Sequence, residues 1–126
     1  MVEITVVKER NIAENICLEA GIPWADDLRI IATTEGESVI NSAVFKYDGE
    51  EGEILHINGF NGDILFLDGL CRAILNIMDL NGVKYVYLPL RFRDIAKYIG
   101  FKEENGQYVL KLEGFFQCGC CHKKEN

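Results

Sequence analysis

NGVKYVYLPLRFRDIAKYIGFKEENGQYVLKL, residues 81–112, packs four structural instructions into one short stretch. Asn81 and Gly82 end whatever helix precedes them, since both tolerate the left-handed conformation that closes a helix. VKYVYLPL then reads as a strand, and its nearly continuous apolar and aromatic content predicts that it is buried. Arg91 to Ile99 has room for a short helix stopped at Gly100. Asn105 and Gly106 carry the chemistry of a tight hairpin turn, and QYVLKLEGFF supplies the last strand.

Working back towards the N-terminus, Asp63 to Leu80 gives the strongest helix signal in the chain. Ile64, Leu67, Leu70, Cys71, Ile74, Leu75 and Met78 recur at steps of three and four, which places them on one face. Before that helix, LRIIATTEGESVINSAVFKYDGEEGEILHING holds three extended runs broken at EGES and YDGEEG, the pattern of an antiparallel meander. Glu3 to Val7 alternates and is rich in β-branched residues, so a first strand is expected. A helix follows, with Asn11 as its cap, Ile12, Ile16 and Ala20 at helical spacing, Gly21 as its stop and Pro23 beyond. The order is strand, helix, three strands, helix, strand, short helix, and a terminal strand or pair. A mixed α/β (α+β) domain over residues 1–117 follows, with a largely antiparallel sheet and a Cys-rich tail at 118–126.

Composition limits what such a domain can do. The 126 residues are 48% hydrophobic, enough to bury about two thirds of the unfolded surface of one domain. Thirteen Lys+Arg against 20 Asp+Glu give a net charge of −7, which repels polyanions and argues against nucleic acid as the main partner. No stretch approaches the roughly 18 apolar residues of a membrane span, so no membrane partner is expected. The charged N-terminus MVEITVVKER lacks the apolar run of a secretory signal, and the five cysteines are odd in number with three at the end, so a cytoplasmic protein with reduced thiols is expected.

The segment 81–112, with IAKYIGF at its centre, resembles the C-terminal half of the GNAT N-acetyltransferase superfamily. There a strand, a short helix, a Gly-Phe pair and a closing strand follow the cofactor helix; Gly100 and Phe101 stand for the pair. GEILHING resembles the fourth strand of that family and LRIIATTEGESVINSAVF its central hairpin, so the resemblance covers about residues 2–116. It implies a twisted sheet with helices on both faces, transfer of an acetyl group from acetyl-CoA, and a small-molecule or peptide amine as acceptor. Acyl-CoA lies in such folds where two parallel strands splay, its pantetheine amides paired with the fourth-strand backbone, which falls here on His56, Ile57 and Asn58. The pyrophosphate loop falls on NGDILFLDG and would use Gly59, Gly62 and the amide of Asp63.

That loop departs from the family pattern. Glycines let amide N–H groups converge on a phosphate at the positive end of a helix. Here no arginine or glutamine precedes Gly59 and Gly62, and Ile64, Leu65 and Phe66 are bulky. Asp63 is placed to cap the helix with its own carboxylate, with Asp68 about one turn on. Two such anions repel by about 1 kcal/mol in water and about 4 kcal/mol at an effective dielectric of 20. The expectation is a crowded, acidic turn that disfavours a diphosphate.

In the resembling family a fourth-strand glutamate commonly serves as general base, and Glu53 is the carboxylate this strand offers, beside the acidic turn Asp48 to Glu51. The tyrosine that usually protonates the leaving thiolate, four residues before the Gly-Phe pair, is Ala96 here. Tyr98 lies two residues later, about 200° round a helix, and cannot simply replace it. His56 titrates in the useful range but also reads as an ordinary strand residue. Trp24 falls where the family walls its acceptor pocket, although GIPWADD leaves one turn at most where a second helix is usual. Arg91 and Arg93 could share a face and bind a phosphate.

The tail sets Cys118, Cys120, Cys121 and His122 within five residues, a set of ligands suited to zinc or Cu(I). The C-x-C-C-H spacing is tighter than that of ordinary zinc sites, and a tetrahedral site wants a ligand from elsewhere; Cys17 and Cys71 are the other thiols, with Cys71 expected in the core. Three functions therefore stand open: an acyltransferase, a GNAT-like module that binds a ligand or partner without the chemistry, and a metal- or thiol-handling protein.

Overall fold

The computed structural model describes residues 2–58 and 64–115. Along the chain run β1 (Val2–Val6), α1 (Arg10–Ala20), β2 (Arg29–Glu35), β3 (Ser38–Asp48), β4 (Glu51–Asn58), α2 (Ile64–Leu80) and β5 (Tyr85–Leu88). A 3-10 turn (Leu90–Phe92), α3 (Arg93–Ile99), β6 (Lys102–Glu104) and β7 (Gln107–Lys111) complete it. The strands form one sheet in the order β1-β2-β3-β4-β5-β7-β6. Every neighbouring pair is antiparallel except β4 and β5, which are parallel and are joined through α2, as a parallel pair requires a crossover.

Alternation along the strands divides the interior between the two faces of the sheet. Ile31, Ala43, Phe45, Ile54, Val86, Leu88, Tyr108 and Leu110 point to one side, where they meet α2 and α3. Ile30 and Val44, adjacent in sequence to members of that set, point to the other side and pack with Ala13 and Cys17 of α1. The α2 stripe behaves as its spacing predicts, with Leu70, Cys71, Ile74, Leu75 and Met78 all buried. Each such side chain contributes about 1.5–3 kcal/mol by leaving water, so this helix anchors the larger core.

The helix ends follow local chemistry, with one correction. Helix α1 stops at Gly21, whose φ of 76° lets its N–H reach the carbonyls of Cys17 and Leu18. Its start is two residues earlier than Asn11 predicts: the N-cap is Glu9, without a side-chain capping bond, and Asn11 already lies in the first turn. An exposed Arg10–Glu14 ion pair at 2.6 Å, one turn apart, braces that turn. At the end of α2, the Asn81 amide donates to the carbonyl of Ile77 at 2.7 Å, and the Val83 N–H bonds back to Met78. Asn105 and Gly106, with φ of 53° and 84°, make the β6–β7 hairpin turn that their sequence announces.

Two features prepare the site. The register between β3 and β4 slips at Leu55, since Val44 faces His56 whereas Phe45 faces Ile54, so Leu55 is the extra residue of a β-bulge. Between Ala20 and Arg29 there is no helix. Helix α1 is left to cover one face alone, and its packing reaches only the half of the sheet nearer β1. Among the described residues no helix packs on the face opposite α2 over β5, β7 and β6.

Candidate active site

Strands β4 and β5 run side by side for three rungs, Glu51 with Tyr85, Gly52 with Val86 and Glu53 with Tyr87. Beyond Glu53 the two strands part. Strand β5 ends at Leu88, and Pro89, fixed near φ −62°, leads the chain away into the 3-10 turn, while β4 runs on to Asn58. The bulge at Leu55 widens this gap by turning the strand where its partner leaves.

One side chain crosses the opening. Arg91, from the 3-10 turn, donates through Nη2 to the carbonyl oxygen of Leu55 at 3.0 Å. The same nitrogen lies 3.4 Å from Nδ1 of His56. Arg91 carries only donors, so Nδ1 must accept, which places the imidazole proton on Nε2. His56 also meets the edge of Phe92 in a T-shaped contact at 5.8 Å, and the Arg91 guanidinium sits 4.6 Å above the same Phe92 ring. Partial burial, and then the charge of Arg91, hold the imidazole below its ordinary pKa. It is therefore neutral at pH 7, and its accepting nitrogen is engaged.

Glu53 is half-buried one rung inside the opening, opposite Tyr87 on β5 and opposite Lys46 on β3. Tyr87 is a residue that the sequence reading passes over. Its hydroxyl donates to Glu51 Oε2 at 3.3 Å, and its pKa is raised, first by burial of the ring and then by the Glu51 carboxylate. The strand burial explains the omission: β5 is not buried on both sides but alternates, with Val86 and Leu88 in the core and Tyr85 and Tyr87 on the bare face. Period-two spacing in KYVYL is the signal that would have found them, hidden because tyrosine counts as apolar in a composition tally.

Glu51, Glu53, Tyr85 and Tyr87 line an open basin of about 820 Å³ on that face, closed at its far side by Lys102, Glu104 and Lys111. Their common orientation follows from the sheet register: Glu51, Tyr85 and Lys111 lie on one row, and Glu53, Tyr87, Val109 and Lys102 on the next. The arrangement offers a carboxylate, a protonated phenol and an aromatic floor beside a strand edge with unpaired backbone.

The other predicted positions divide into those assembled here and those elsewhere. Ile57 faces the core, leaving only its backbone for the gap, and Asn58 is exposed at the end of β4. Gly59, Gly62 and Asp63, and the tail residues Cys118, Cys120, Cys121 and His122, lie outside the described residues. Ala96 is fully buried, and Tyr98 is exposed on the opposite side of α3, so neither supplies a donor to the basin. Trp24 is half-buried against α1, with Arg10 over its ring at 5.5 Å, and its indole N–H is buried without a partner among the described residues. Of the two arginines expected to bind a phosphate, Arg91 is bonded to the β4 backbone in this structure. Cys17 and Cys71 are both buried, on opposite faces of the sheet, so the two cannot join one metal site. Among the described residues no cluster of His, Cys, Asp and Glu is arranged to hold a metal, and no helix is long and apolar enough to cross a membrane.

The parallel splay, the bulged fourth strand and the crossover helix together define the fold of the GNAT N-acetyltransferases, and this chain has that fold. No family model and no curated protein matches the sequence. Among solved structures, an acetyltransferase of the GNAT family from Desulfovibrio desulfuricans superposes with a TM-score of 0.71 at 11% identity, over 89% of this chain and 99% of that one. The N-acetyl transferase YhhK from E. coli, solved bound to coenzyme A, gives 0.68 at 15% identity over 88% and 98%. The KacTA–DNA complex gives 0.68 at 9% identity over 95% and 99%. With a DNA complex among the matches, the fold gives no ground for excluding nucleic acid, and the case against it rests on the charge of −7 alone.

Proposed function

We propose that the chain is an acyl-CoA-dependent N-acetyltransferase, with the coenzyme between β4 and β5 and an amine acceptor in the basin. The observation that carries this reading is the Leu55 carbonyl. It is directed into the splay and already accepts an N–H donor, the guanidinium of Arg91, which stands in for a pantetheine amide. The bulge that aims this carbonyl, and the run of β4 beyond its last β5 rung, fit the amide-bearing arm of coenzyme A.

In this reading Glu53 takes the proton from the acceptor ammonium, directly or through one water, so that the nitrogen lone pair can form the new N–C bond as the C–S bond breaks. Tyr87, kept protonated by its surroundings, provides an O–H on the same side of the sheet. Most of the rate comes from holding amine and thioester together. Calorimetric titration of the reduced protein with acetyl-CoA tests the proposal: a saturable one-site heat is expected, and a flat titration sinks it.

Two observations favour a second reading, a module that kept the cleft without the chemistry. Arg91 occupies the backbone acceptor, and the position of the usual acid tyrosine is a buried alanine. That reading predicts no stabilisation by acetyl-CoA in a thermal melt. The tail belongs to a separate proposal, a zinc or copper site on Cys118, Cys120, Cys121 and His122. Elemental analysis of protein purified without added metal, with and without residues 118–126, decides it.

A further inference from the structure

The two edges of the sheet are built differently. At one end β6 is three residues long and every one is charged, Lys102, Glu103 and Glu104, which deters another strand from pairing there. At the other end β1, with sequence VEITV, has no proline, no lysine and a single charge, Glu3. Its apolar residues Val2, Ile4 and Val6 are 43%, 40% and 40% exposed, and among the described residues no strand pairs with its outer side.

The direction of its backbone is fixed by the pairing with β2. The Val7 N–H bonds to the Ile30 carbonyl at 2.9 Å, extending the register in which Val6 faces Ile31. Hydrogen-bonded positions alternate in an antiparallel ladder, so Glu3 and Thr5 also turn their backbone groups to β2. Val2, Ile4 and Val6 turn theirs outward, and the same residues carry the exposed apolar stripe.

We propose that this edge pairs with β1 of a second copy of the chain, antiparallel about a two-fold axis at Ile4. That register brings Ile4 opposite Ile4 and Val2 opposite Val6, so every outward N–H of β1 finds a carbonyl in the other copy. It also sets Glu3 opposite Thr5 in both directions, which avoids a like-charge pair. A shift that centres on Glu3 places two carboxylates face to face, and one that centres on Thr5 leaves Val2 beyond the partner's strand. The axis stands perpendicular to the sheet, so both stripes and both α2 helices share one face. Ile4 already lies against Gly69 of α2, where an added Cβ would sit 3.4 Å from its Cδ1. Phe66, 37% exposed and three residues before Gly69, is on the same side of the helix and flanks the seam.

A seam of one strand pair is a small interface, below roughly 1,200 Å², so the dimer should depend on concentration in the micromolar range. Sedimentation equilibrium of the full chain under reducing conditions, which prevents cross-linking by the tail thiols, tests the proposal. The wild type is expected to pass from the mass of one chain to that of two. Thr5→Lys sets an ammonium opposite Glu3 on both sides of the axis and should tighten the dimer, whereas Thr5→Glu sets a second carboxylate there and should loosen it. The two variants should differ by about tenfold in dissociation constant. Ile4→Lys, with ammonium against ammonium at the axis, should leave only monomer. Thr5 is exposed, so its variants keep the fold. A single-chain mass across the whole range overturns the proposal, as does a dimer indifferent to the charge at Thr5, which would be held by some other surface.

Discussion

Arg91 shows how one side chain can set the terms of binding. Its bond to the Leu55 carbonyl must break before a ligand amide can use that oxygen, at a net cost of about 0.5–1.5 kcal/mol. Arg91→Ala should therefore bind acetyl-CoA about two- to tenfold more tightly in a calorimetric titration; weaker binding would mean that the guanidinium turns to a coenzyme phosphate instead. Glu53→Gln should lower kcat/KM for acetyl transfer by about 10²–10³, read as release of the CoA thiol, with the thermal midpoint unmoved. Cys71 gives a third test. Burial pushes its thiol from an ordinary value of 9.0 up to about 12, so the folded state keeps it protonated where the unfolded chain releases the proton. The associated stability is complete below pH 9 and is lost as pH climbs towards 12, which pH-dependent denaturant titrations of the wild type and Cys71→Ala should separate. Little of this residue-level detail is legible in the sequence. Glu53 comes from the family resemblance and not from its strand alone, since β4 also carries Glu51. The Arg91–Leu55 bond is not legible, because it joins residues 36 apart through a backbone atom that carries no sequence signature.

Elements are far easier to read. The α2 stripe is unambiguous because its apolar spacing runs through almost five turns, and the glycine stops at Gly21, Gly82 and Gly100 all adopt the left-handed geometry that their positions predict. Errors lie where two local preferences compete. Asn11 is a good cap in isolation, but the helix begins before it, with Ala13 bonded back to Glu9. The β5 strand reads as buried throughout because tyrosine satisfies both an apolar pattern and an exposed position. The strength of α2 also makes the element-scale prediction: Ile74→Ala or Leu75→Ala, each removing a fully buried side chain under the sheet, should cost about 2–5 kcal/mol in denaturant unfolding. Leu80→Ala, at 76% exposure on the same helix, should change stability by less than about 0.5 kcal/mol.

At the scale of the molecule, the order of elements carries the fold class, yet it does not show that β7 inserts between β5 and β6, since strand order is set by long-range pairing. If acetyl-CoA occupies the splay, ligand at 100 times its Kd adds about 2.7 kcal/mol to the folded state and should raise the thermal midpoint by on the order of 10 °C. The slip at Leu55 has an effect that reaches past its own position. It acts as a half-step inserted into a two-beat rhythm, letting Glu53 before it and His56 after it look out on the same side while Ile54 and Ile57 both look in. Keep all its residues but pair the strand regularly, and the beat resumes: everything downstream turns over, an imidazole is driven into hydrocarbon, an isoleucine is thrust into water, and the carbonyl that beckons a ligand disappears into the ladder.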